Sequence, residues 1–250
     1  MERNKKEKIV NVLGYDGLKI VQRDDVLNFS LDSTLLADFV TINASDKKII
    51  DLGCGNGYIP IFLTLRTKAN IVGVEIQQEV YELAKKSISL NNLEEQIKVL
   101  NMDINDLPSC YNPSTFDVVV SNPPYFQYTP ESIIKKSIYQ TIARHEVKIN
   151  LKEIIKTANY LLKDGGTFSM VHRSERFLEI INLLNEYHFE PKRIKFVYAK
   201  KSSKESVAIL IESKKNGKPG GLKILNPIYV TDDNNEYTEE ILKIFNFKKE

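Results

Sequence analysis

The tetrapeptide Asn122-Pro123-Pro124-Tyr125 carries the most specific chemistry in this chain of 250 residues. An amide oxygen, a proline carbonyl and a flat ring in one short turn could hold a planar, conjugated NH2 group. Such a nitrogen delocalises its lone pair and is a poor nucleophile. Hydrogen bonds from its two N–H groups to the Asn122 side-chain oxygen and the Pro123 carbonyl would let it pyramidalise toward an electrophile. Its proton could leave afterwards, so no general base is needed first. Two prolines stiffen the turn and remove amide donors, leaving carbonyls outward. Tyr125 would stack on the flat substrate, a contact worth roughly 1–3 kcal/mol per base. Asn122, Pro123, Pro124 and Tyr125 are therefore the candidate catalytic residues, against the plain alternative of an Asn-Pro turn.

A glycine-rich turn stands upstream, Asp51-Leu52-Gly53-Cys54-Gly55-Asn56-Gly57. Glycines let the chain turn sharply out of a strand and let a ligand lie against the main chain. A dinucleotide site would use G-x-G-x-x-G to rest a pyrophosphate on a helix N-terminus. Here the spacing is G-x-G-x-G, with an acid two residues before the first glycine and no phosphate-binding lysine after it. Asp51 would repel a pyrophosphate but could hold the ammonium of a methionine moiety, through water or an intervening amide. The pattern points to S-adenosylmethionine, and the glycine spacing argues against a nicotinamide oxidoreductase. Glu75 is placed to accept the ribose hydroxyls, and Asp103 the adenine amino group. Each acid could instead cap a helix, but three acids ending three successive strands at one sheet edge favour binding. The cofactor set is Asp51, Gly53, Gly55, Gly57, Glu75 and Asp103, with Asn122 between cofactor and substrate. Cys54 receives no catalytic role.

The elements that must position these residues are legible from residue 48 onward. KIIDL, NIVGVE, IKVLNMD, FDVVVSN and GTFSMVH are apolar enough to be strands covered on both faces. Helical spacing recurs over Glu79 to Leu90 and Leu151 to Leu162, and this βαβα rhythm predicts a doubly wound parallel α/β sheet. Lys192 to Tyr198 and Ser206 to Glu212, joined by AKKSSKE, predict an antiparallel hairpin at a sheet edge. Upstream, Leu18 to Asn28 suggests a hairpin. A helix follows, with Ser30 or Asp32 as N-cap and Leu35, Leu36, Phe39 and Val40 inward. The expected organisation is 1–47 as an N-terminal closing segment, 48–213 as the core and 214–250 as an extension packed on it.

With 42% hydrophobic and 27% charged residues, a sizeable core is expected and global disorder is not. No apolar run reaches the roughly 18 residues of a membrane span, and MERNKKEK is no secretory signal. Two cysteines and three histidines suggest neither a disulfide framework nor a metal site. A cytoplasmic protein without membrane or metal partners is expected, and nothing indicates an oligomer. The net charge of +2 hides a basic stretch from Lys192 to Lys218. That block could be a footprint for a polyanion or a solvated lysine-rich face. Lys200, Lys201 and Lys204 would form the tip of the late hairpin.

The pieces resemble one family, the bacterial tRNA adenine-N6-methyltransferases that modify the adenosine beside the anticodon of a valine tRNA. The similar segments are Phe29-Ser30-Leu31-Asp32-Ser33-Thr34-Leu35-Leu36-Ala37-Asp38-Phe39, DLGCGNG, SNPPY, Ala143-Arg144-His145-Glu146, Lys218-Pro219-Gly220-Gly221 and Tyr237-Thr238-Glu239-Glu240. The resemblance implies a seven-stranded Rossmann-like methyltransferase sheet, S-adenosylmethionine as cofactor and tRNA as substrate. It also implies that the segment around Phe29 to Phe39 closes over the cofactor. It draws Arg144 and His145 toward the RNA entrance, although they could equally form a helix-start ion pair with Glu146. His172 and Arg173 face the same choice more weakly. NPPY is shared with enzymes that modify a glutamine amide of a protein, and related NPPF forms act on guanine N2, so these substrates remain alternatives. So does a catalytically inactive RNA-binding protein of the same fold. The short segment before the first strand lowers the glutamine alternative, whose enzymes carry a long helical N-terminal domain.

Overall fold

The apolar runs pair into one large sheet in the computed structural model, which describes residues 6–12, 17–26, 31–123, 125 and 150–245. Five parallel strands form its centre: β3 (Lys48–Leu52), β4 (Asn70–Glu75), β5 (Ile97–Asn101), β6 (Phe116–Ser121) and β7 (Leu162–His172). The late hairpin adds β8 (Phe189–Lys200) and β9 (Ala208–Lys215). The order is β8-β9-β7-β6-β3-β4-β5, with β9 antiparallel to both neighbours. These are the seven expected strands. Two short parallel strands, β10 (Lys223–Ile224) and β11 (Ile228–Thr231), further pair with β8.

Successive strand residues point to opposite faces, and each face has its own core. Ile49, Val118, Val120, Val171 and Leu210 pack on one side with α1 (Leu31–Phe39) and α2 (Tyr58–Leu63). Ile50, Val119, Phe168, Met170 and Ile211 pack on the other with α4 (Leu151–Leu161) and α5 (Phe177–Glu186). Helix α3 (Gln78–Leu90) sets Val80 and Leu83 against Val21 and Val26. Asn150 starts α4 with a capping box, its side chain accepting from the Glu153 amide and the Glu153 carboxylate answering its own.

The N-terminal hairpin pairs β1 (Glu7–Asn11) with β2 (Lys19–Arg23). Its first strand lies upstream of the expected Leu18 to Asn28, since Glu7 to Asn11 is mostly exposed and leaves no buried pattern to read. Asp32 is not an N-cap: it is the second residue of α1, and its carboxylate is turned to Tyr125 instead. Ser30 lies outside the described residues. The buried Glu212 of β9 fastens the stretch after α1 to the sheet. It accepts from the Thr41 amide at 2.7 Å, Thr41 Oγ1 at 2.8 Å, Ser169 Oγ at 3.1 Å and Arg193 Nη1 at 3.1 Å. The Arg193 guanidinium also lies 4.4 Å from the centre of the Phe39 ring. Helix α6 (Glu239–Phe245) buries Ile241 and Ile244 in the core shared with α1.

Candidate functional site

Strand order reverses between β3, which leads outward to β4 and β5, and β6, which leads the other way to β7. A crevice at the carboxyl ends of strands where order reverses is the binding place of open α/β sheets. The glycine turn leaves β3 there, with Gly53 at φ 82° and Gly55 at φ 56°, left-handed conformations suited to glycine. A Cβ at either would meet no atom within 4 Å, so both open onto free space. Gly57, also at positive φ, instead faces Ala84 of α3. Cys54 is packed away from the opening, its sulfur lying where a Cβ on Gly73 would fall at 2.8 Å.

Two acids stand behind this turn. Asp51 is fully buried, and neither carboxylate oxygen has a hydrogen-bond partner among the described residues. Burial and then the nearby Glu75 charge hold its carboxyl well above the ordinary range. Glu75 accepts the Gly55 amide at 3.1 Å and the Gln77 amide at 2.9 Å, which ties the turn to the end of β4. Burial raises Glu75 as well, opposed by those backbone hydrogen bonds. A carboxylate offers about four acceptor positions, so Glu75 keeps capacity for a ligand. An orphaned buried carboxylate beside a second acid suits a ligand that brings positive charge and donors close to the main chain. Asp103, two residues past β5, caps the 3-10 turn Ile104–Ser109 by accepting the Asn105 amide at 2.9 Å. Capping is the role weighed against ligand binding in its sequence reading, and the second carboxylate oxygen leaves room for both.

Strand β6 delivers Asn122 beside this cradle. Ser121 Oγ donates to the Leu52 carbonyl at 2.7 Å, locking the end of β6 to the end of β3. Asn122 Nδ2 donates to Ser33 Oγ at 2.9 Å, and the Tyr125 hydroxyl lies 2.6 Å from Asn122 Oδ1 and 2.8 Å from Asp32 Oδ2. The Tyr125 ring sits 5.4 Å from that of the buried His172. Burial and the Asp32 charge push the Tyr125 hydroxyl well up, so it stays protonated. Pro123 is buried. Pro124, Arg144 and His145 lie outside the described residues.

The basic stretch is not one patch. Lys192 donates to the Lys218 and Gly220 carbonyls, Lys195 pairs with Glu240, Lys214 donates to Thr167 and Lys215 to the Leu162 carbonyl. Arg193 belongs to the Glu212 cluster. These cations are occupied in holding the fold. Because β8 runs parallel to β7 through the antiparallel β9, its end at Lys200 reaches the same edge as Asn122. Three strand spacings put that loop about 14 Å from β6. Lys201 and Lys204 are exposed there and Lys200 partly so. Ser174, next to Arg173, donates to the Ser206 carbonyl of the same loop.

A family profile described as Methyltransferase domain matches residues 43–247, most of the chain. The chain belongs to this methyltransferase family. Among relatives of this methyltransferase, a tRNA1(Val) (adenine(37)-N6)-methyltransferase of Bacteroides thetaiotaomicron is 30% identical over 164 residues, covering 65% of this chain and 66% of that protein. One from Bacteroides fragilis is matched over 57% of its own length. The protein of the same name from Flavobacterium psychrophilum is 25% identical over 228 residues, covering 90% and 93%. The fold matches that of a predicted O-methyltransferase from Agrobacterium tumefaciens, with TM-score 0.67, 22% identity and coverage of 86% and 96%. A tRNA m1G37 methyltransferase of M. jannaschii matches with TM-score 0.59, 18% identity and coverage of 86% and 59%.

Sequence reasoning did not give Asp32 and Ser33 a place in the site. Both belong to the FSLDS segment, and the FSLDS resemblance marked the segment without saying what its acid and hydroxyl touch. No His, Cys, Asp and Glu cluster among the described residues could hold a metal ion, and none of their helices is long and apolar enough to cross a membrane.

Proposed function

We propose that this methyltransferase transfers a methyl group from S-adenosylmethionine to the exocyclic N6 of an adenine in tRNA, at the adenosine next to the anticodon. The observation that carries the reading is Asn122, whose side-chain oxygen is held at the end of β6 beside the open glycine turn and the orphaned Asp51. The cofactor, when bound, supplies a methyl group on a positively charged sulfur. Asp51 would hold its ammonium group, Glu75 its ribose hydroxyls and Asp103 its adenine amino group, with Gly53, Gly55 and Gly57 giving it room against the backbone. Asn122 Oδ1 and the Pro123 carbonyl would accept the two amino hydrogens of the substrate base. The nitrogen is then free to present its lone pair to the methyl carbon. Tyr125 would stack on the base, and Pro124 would keep the loop rigid.

Residues 1–47 act in this reading as the closing segment, 48–213 as the core and 214–250 as an extension. Lys200, Lys201 and Lys204 would meet tRNA phosphates, with Arg144 and His145 at the RNA entrance. The names of the relatives favour adenine over guanine N2 or a glutamine amide. A cytoplasmic location follows from a tRNA substrate. Mass spectrometry of nucleosides from the tRNA of a strain lacking the gene tests the reading. Loss of N6-methyladenosine, restored by the wild-type gene, is expected. Unchanged N6-methyladenosine would refute it.

A further inference from the structure

Two neighbouring residues of α1 hold two residues of the tetrapeptide. Ser33 Oγ accepts Asn122 Nδ2 at 2.9 Å, which fixes the amide plane and aims Oδ1 at Tyr125. The Tyr125 hydroxyl has one proton and, among the described residues, two oxygens in reach, Asn122 Oδ1 at 2.6 Å and Asp32 Oδ2 at 2.8 Å. The acceptor meant for a substrate amino hydrogen therefore already faces a phenol proton. We propose that Asp32 is a positioning residue: it takes the Tyr125 hydroxyl bond when the substrate amino group claims Asn122 Oδ1. The proposal rests on the reading that Asn122 receives an amino group.

Tyr125 is half-buried, with His172 against its ring and its hydroxyl directed at Asn122 and Asp32, so a hydroxyl displaced from Asn122 finds its nearest acceptor in Asp32. A buried donor left without an acceptor is costly, and one that keeps its only acceptor competes with the substrate. Asp32 removes the conflict without moving the ring, because its oxygen is already within hydrogen-bond distance. A charged acceptor makes a stronger bond than a neutral amide. Burial raises the Asp32 carboxyl, while the Tyr125 hydrogen bond and the Arg173 charge oppose this and favour the ionised acceptor.

The test is a double-mutant cycle on methyl transfer to an unmodified tRNA transcript with adenosine beside the anticodon. Asp32→Ala should lower kcat/KM roughly 5- to 150-fold, the factor that corresponds to one unsatisfied buried donor. In a Tyr125→Phe background there is no hydroxyl to receive, so Asp32→Ala should then change kcat/KM by no more than about twofold. Asp32→Asn keeps an acceptor oxygen and should restore most of the activity. It also serves if Asp32→Ala fails to fold. An equal loss in both backgrounds would mean that Asp32 merely supports α1, and would overturn the proposal. So would full activity of Asp32→Ala, or an Asp32→Asn protein more than about tenfold impaired. Absence of transfer by the wild type would instead refute the functional reading and the proposal with it.

Discussion

Replacing Asp51 with Asn should stabilise the protein alone while weakening its hold on the cofactor. The buried carboxylate has no partner among the described residues, and keeping such a group ionised costs several kcal/mol. The isosteric amide removes the charge but still buries polar atoms, which returns about 1–3 kcal/mol of that gain. A net stabilisation of about 2 kcal/mol remains after these two effects oppose each other. For 250 residues, an unfolding entropy of roughly 0.5 kcal/mol/K converts this to a rise in Tm of about 4 °C. Burial raises Asp51, so the native state binds its proton more tightly than the unfolded chain, whose value lies near 3.8. The wild type therefore loses stability to this group as pH rises above that value, until the native group has itself ionised. The advantage of Asp51→Asn should accordingly be larger at pH 8 than at pH 5. A lost charge-assisted contact of about 1.5–3 kcal/mol should weaken S-adenosylmethionine roughly 10- to 150-fold. Thermal unfolding with and without cofactor, with calorimetric titration, reads both effects. A variant with a lower Tm than wild type, or with unchanged cofactor affinity, would refute the reasoning.

Asn122→Ala should lower kcat by about 10²- to 10³-fold, as expected for removing one preorganised hydrogen bond at a reacting centre, with cofactor affinity comparatively intact. Steady-state kinetics and cofactor titration check the split. Replacing Lys200, Lys201 and Lys204 together should weaken tRNA binding for all sequences alike and make its salt dependence shallower by about 0.7–0.9 per lost phosphate contact. Filter binding at several salt concentrations decides this, and an unaltered slope would make the three lysines mere solvated charges. Gly53→Ala and Gly57→Ala should each cost about 1–2 kcal/mol for a side chain in the left-handed region. Gly53→Ala should weaken cofactor binding more, because its Cβ projects into the open space while that of Gly57 meets Ala84.

The central strands were legible because both of their faces are covered, which leaves apolar runs such as KIIDL and FDVVVSN. The glycine turn and the acids were legible because they share one short stretch or end neighbouring strands. Strand β1 was not, since Glu7 to Asn11 is held by pairing with β2 and exposes most of its side chains. The basic stretch could not be resolved from the sequence for a geometric reason: hairpin register sends Lys192 and Lys215 to one end of the sheet and Lys200 to the other. The link between Asp32 and Tyr125 spans 93 residues, and no local pattern records a contact at that separation.

The Glu212 cluster has a consequence for synthesis. Thr41 and its acceptor are 171 residues apart, and chains emerge from the ribosome at about 5–20 residues per second. The stretch that follows Asp32 and Ser33 therefore waits on the order of 10–30 s for the residue that fastens it. A nascent chain can assemble β3 to β6 in that interval, but it lacks β9 and the carboxylate that anchors Thr41. A chain halted before residue 212 would present the glycine turn and Asn122 with no such anchor for the α1 end. The α1 end is thus anchored to the sheet only in the last part of translation, once Glu212 has been added.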